Sequence, residues 1–76
     1  MLVVSNMARR WNSIKSVDND IHMICTILAE NGSLPENLVY SFQAMMDSAS
    51  AAKPGLVLHF YDGLTKECPK ALEYFK

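Results

Sequence analysis

Little in this chain can staple, kink or charge it. Two cysteines permit one disulfide at most, three glycines and three prolines leave few sharp turns, and the formal net charge is only −1. So few cysteines exclude a disulfide-dense scaffold. The near-neutral balance removes any global field drawing the chain to nucleic acid or an anionic membrane. The longest uninterrupted apolar runs are only a few residues, far short of the ~20 needed to span a bilayer. Met1-Leu2-Val3-Val4 is a very short apolar run without a basic lead-in, so no secretory leader is read there. A cytoplasmic location with both thiols reduced is the resulting expectation. There is no repeat, low-complexity tract or linker, and residues 1–76 are expected to form a single helical domain.

What the chain does have is apolar surface. Half of its 76 residues are hydrophobic and a fifth are charged. That is ample to offset chain entropy, so disorder is excluded. Below about 70–80 residues a single core rarely supplies more than roughly 3–5 kcal/mol, and natural proteins of this size add a disulfide, a metal or a partner subunit. Association is the economical reading of the apolar balance.

The apolar positions recur at alternating steps of four and three. Met7, Trp11 and Ile14 begin a rhythm that Ile21, Cys25 and Leu28 resume. Leu38, Phe42, Met45, Ala49 and Ala52 repeat it. Such a seam belongs to a helix packed lengthwise on another helix. The first helical segment is expected from about Ser5, a plausible N-cap, to Asn31, with Gly32 as C-cap. Ser16-Val17-Asp18-Asn19-Asp20 has poor helix propensity, and a break near residues 16–19, capped by Ser16 or Asp18, is preferred over one long helix. Asp18 occupies a seam position; it either caps a helix or fixes register, and the cap is favoured.

Ser33-Leu34-Pro35-Glu36 reads as a capping box opening a second helix that ends near Ala52, stopped by Pro54-Gly55. Leu56–Tyr61 fits a buried strand or a short helix; a lone strand has no partner here, so helix is chosen. Asp62-Gly63 reads as punctuation. A short closing helix is expected from about Glu67, with Pro69 in its first turn.

The chemistry-bearing residues are few. His22 and Cys25, three apart, with His59 and Cys68 make a four-ligand set on paper, but the spacing matches no common zinc pattern. Cys–His pairs from the same residues lack an orienting third group and an oxyanion hole. No enzyme activity, cofactor, metal or small-molecule substrate is therefore expected. Arg9, Arg10 and Lys15 around Trp11 form a small basic cluster and the candidate nucleic-acid contact, though three charges neutralise few phosphates.

Large side chains are abundant for so short a chain, and Trp and Met suit binding surfaces. The sequence thus predicts an all-α bundle of three to four helices, completed by dimerisation. The two long segments would pack antiparallel across the Asn31–Ser33 turn, with the C-terminal segment over the open side. The expected function is a non-enzymatic protein–protein interaction module, regulatory or adaptor. It would act as a homodimer or with another helical protein, through Met7, Trp11, Ile14, Phe42, Met45 and Met46, with no membrane partner. The alternative is a small transcription modulator contacting DNA directly or through a DNA-bound protein.

Overall fold

The structure is a computed structural model that describes residues 11–75. Within them the chain is all-helical, without strands. Helix α1 spans Ile14–Asn31, α2 spans Glu36–Ala52, α3 spans Pro54–Glu67, and a closing 3-10 helix spans Pro69–Tyr74.

Local chemistry sets each boundary. Ser13 caps α1 from an extended backbone, and its hydroxyl accepts from Ser16 N–H at 3.2 Å. The Ser16 hydroxyl in return accepts from the amides of Ser13 and Asn12. This is a capping box with serine where glutamate is usual, satisfying the first orphan amides of the helix. The break expected near residues 16–19 is not there: the helix begins at Ile14 and runs through them. Ser16 sits inside the helix as the reciprocal partner, and Asp18 is not a cap. The proposed Ser5 cap lies outside the described residues. At the other end Gly32 takes a left-handed φ of 77°, and its N–H donates to Leu28 O at 2.8 Å, which is the glycine cap the sequence implied.

The Ser33 capping box does not form. The cap position of α2 is Pro35, with no side-chain cap bond, and Leu34 turns inward, 6% exposed. Burying Leu34 fixes the entry of the chain and takes Ser33 out of capping register. Pro54 likewise opens the next helix after a one-residue joint at Lys53, since proline is well placed in a first turn. Leu56–Tyr61 is helical, and α3 continues through Asp62 and Gly63.

Helix α3 is the element on which the other three pack, whereas α1 and α2 barely touch. The chain does reverse after Asn31: Lys53, at the end of α2, donates its ammonium to Trp11 O at 2.8 Å beside the start of α1. Yet the lengthwise partner of α1 is α3, not α2. Asp18 meets His59, Ile21 meets Gly63, and Cys25 is bonded to Cys68. Both members of these pairs advance together, so α1 and α3 run parallel. The core lies beneath them. Trp11, Phe42, Phe60 and Phe75 form one aromatic cluster, with ring centroids 4.9 Å apart for Trp11–Phe60 and 5.6 Å for Phe42–Phe60. Val17, Ile24, Met45 and Leu64 complete it. The closing 3-10 helix is tied back by Gln43 Nε2 donating to Tyr74 O and by Tyr61 O–H donating to Phe75 O.

Gly63 explains why a glycine interrupts a buried helix. A Cβ placed there would overlap Ile21 Cδ1, and Ile21 is only 4% exposed. Alanine would gain about 1 kcal/mol of helix propensity but overfill a packed contact at a cost of about 1–3 kcal/mol. Gly63→Ala is therefore expected to lower the urea midpoint. Ile21→Val removes the overlapping methyl and should cost about 0.5–1.5 kcal/mol alone. The double variant should be more stable than the sum of the two singles. Strict additivity would mean that the close approach carries no energy.

Candidate functional site

The seam stripe of α1 runs Ile14, Asp18, Ile21/His22, Cys25, and it lies along α3. Its outer edge forms an open groove of about 370 Å³, walled by Asp18, Ile21, His22 and Cys25 from α1 and by His59, Asp62, Gly63, Lys66 and Glu67 from α3. Glycine at 63 lets the two backbones approach and sets the depth of its floor. His59 Nε2 lies 2.5 Å from Asp18 Oδ1, with the histidine side chain 28% and the carboxylate 57% exposed. A pair so open to water contributes about 0–1 kcal/mol. Its structural consequence is register: the polar interruption in the α1 seam is met by the one ring on α3 that can satisfy it. Lys66 and Asp62, one turn apart on α3, pair at 3.1 Å in open solvent.

The Cys25–Cys68 disulfide closes the far end of the groove and is shared with a second, more apolar groove of about 540 Å³ lined by Leu28, Ala29, Gly32, Pro69 and Lys70. This corrects the expectation of two reduced thiols. The reading of a cytoplasmic location lost its cysteine argument with it, because such bonds form and persist chiefly in oxidising compartments. The bond also changes what the groove can do. The sulfurs are joined to each other, so neither is a thiolate for attack or for metal binding in this state. Among the described residues no three His, Cys, Asp or Glu side chains are grouped to hold an ion. What remains is a groove with charges of both signs and an oriented imidazole.

Four of the residues singled out in the sequence are brought together in the core and not on a surface. Trp11, Phe42 and Met45 are fully buried and Met46 is 7% exposed, so all four fill the core of the single chain. Ile14 is at the surface, 52% exposed. Lys15 is exposed. Met7, Arg9 and Arg10 lie outside the described residues. Tyr40 and Leu58, 68% and 69% exposed, are the other large apolar side chains at the surface of the described residues. Leu58 precedes His59 on α3, and neither it nor Ile14 lines the groove. Sequence reading missed it because Leu58 sits within an unbroken apolar run, where inward and outward positions look alike.

No helix among the described residues is long and apolar enough to cross a membrane. No known family model matches the chain, and neither a curated protein nor a solved structure matches it.

Proposed function

We propose that the chain is a non-enzymatic interaction module that pairs with a second copy of itself across the outer α1/α3 face. The observation that carries this reading is the exposure of Ile14 on α1 and Leu58 on α3, large apolar side chains left at the surface while others of their kind fill the core. The occupant follows from charge. The face carries Asp18, Asp62 and Glu67 beside Lys15 and Lys66. In a two-fold contact the same patch meets itself, so a face carrying both signs offers bases of one copy to acids of the other. A net charge of −1 leaves little repulsion between copies.

Sedimentation equilibrium over a wide concentration range tests the proposal. Dimers are expected, and Leu58→Glu should weaken them by about 5–30-fold, since covering an exposed leucine is worth roughly 1–2 kcal/mol. Circular dichroism should show the variant still folded, because Leu58 lies on the outside of α3. A chain that sediments as a monomer throughout, or a Leu58→Glu variant that dimerises as well as the parent, overturns the reading.

A further inference from the structure

We infer that Asn31 is an acceptor for N-linked glycan. Asn31-Gly32-Ser33 has the Asn-x-Ser pattern with a residue other than proline in the middle, the pattern that marks such acceptors on surface turns. All three residues are exposed in the structure. They form the turn in which Gly32 leaves α1 through its left-handed backbone. The second, independent observation is the Cys25–Cys68 disulfide. The lumen in which disulfides are made is also a compartment in which this pattern is modified. The inference rests on that bond and that turn, and not on self-association.

The transfer is a simple displacement. The Asn31 amide nitrogen attacks C1 of the first sugar of an oligosaccharide carried on a lipid diphosphate. The N–C1 bond forms as the bond from C1 to the phosphate oxygen breaks, the lipid diphosphate leaves with the electron pair, and one amide proton passes to a base of the transferase. One N–H remains. In the folded chain Asn31 Nδ2 donates to Ile27 O at 3.1 Å, and the remaining hydrogen can keep that bond. The fold tolerates the addition, because Asn31 lines neither groove. It also lies seventeen residues along α1 from Ile14, about 25 Å at helical rise, so a glycan there leaves the exposed apolar end uncovered.

The test is expression of the full chain behind an added cleavable secretory leader in a eukaryotic cell, with intact mass of the secreted chain measured before and after treatment with peptide N-glycosidase. The expected result is added sugar mass that the enzyme removes, leaving aspartate at position 31. A Ser33→Ala variant should be secreted folded and without the sugar, since Ser33 is exposed and makes no cap bond to α2. Secreted chain with Cys25–Cys68 closed and Asn31 bare overturns the inference. So does sugar that persists in Ser33→Ala, and so does a secreted chain whose cysteines stay reduced.

Discussion

Replacing Cys25 and Cys68 together by serine is expected to lower the melting temperature by roughly 10–40 °C. The bond links residues 43 apart, and closing a loop of that length removes unfolded-state entropy worth about 4 kcal/mol in the chain-entropy model, with about 2–5 kcal/mol typical when a native bond is removed from a small domain. In a domain of this size each kcal/mol moves the midpoint by about 4–8 °C. Total stability at 76 residues is only about 4–11 kcal/mol, so the staple is a large fraction of what holds the fold. Local packing points the same way. The bond joins the middle of α1 directly to the start of the closing 3-10 helix. Calorimetry with and without a dithiol reductant checks this. The parent should lose stability on reduction and the double-serine variant should ignore the reductant; a parent indifferent to reductant would show that packing alone suffices.

That bond is also where sequence reading reached its limit. Two cysteines 43 residues apart are compatible with a bridge, a pair of ligands or two core thiols, and the expectation of reduced thiols rested on compartment alone. The helices themselves were legible, because the four–three spacing reports a face directly. The buried face of α1 is Val17, Asp20, Ile21 and Ile24; of the stripe the spacing picked out, Ile21 is in the core, Asp18 and Cys25 meet α3 at its edge, and Ile14 is at the surface. Periodicity names the face but not the neighbour that covers it, and α3 rather than α2 turned out to cover it. A clue was present. Asp18 and His59 are 41 residues apart and Cys25 and Cys68 are 43 apart. Two complementary pairs at nearly equal offset are what two parallel helices require.

The remaining misreadings have the same origin, tertiary packing overriding a local preference. Asp62-Gly63 resembles a turn, yet the glycine is needed inside α3 because Ile21 presses on it. Ser33 resembles an N-cap, yet burial of Leu34 shifts the start of α2 to Glu36. Asp20, not Asp18, is the carboxylate taken into the core, 3% exposed. The candidate binding surface suffered most, since size and aromaticity look identical in a core residue and in a contact residue. Trp11, Phe42, Met45 and Met46 were drawn inward by one another.

Trp11 should be the costliest single residue to remove. Its ring is fully buried between Phe42 and Phe60. Its Nε1–H donates to Asp20 Oδ2 at 2.9 Å, and its carbonyl accepts from Lys53 Nζ. Trp11, two residues ahead of the α1 cap, thus ties the start of α1 to the joint between α2 and α3. Trp11→Ala is expected to cost about 3–5 kcal/mol from the ring alone. It also removes a buried bond to a carboxylate, of a kind worth about 1.5–3 kcal/mol. Against a total of about 4–11 kcal/mol, this variant should be largely unfolded near 37 °C. Trp11→Phe keeps most of the packing and loses the N–H, so it should stay folded and cost less than alanine, its loss combining the hydrogen bond with a smaller cavity. A cycle of Trp11→Phe with Asp20→Asn, followed by urea unfolding and circular dichroism, measures the coupling between the two side chains. As the single tryptophan of the chain, Trp11 also reports on the parent: quencher-shielded when native, accessible when unfolded. A contact tryptophan on a binding surface behaves oppositely. Its alanine variant would keep the urea midpoint and lose only association, and that outcome would move Trp11 from the core to the interface.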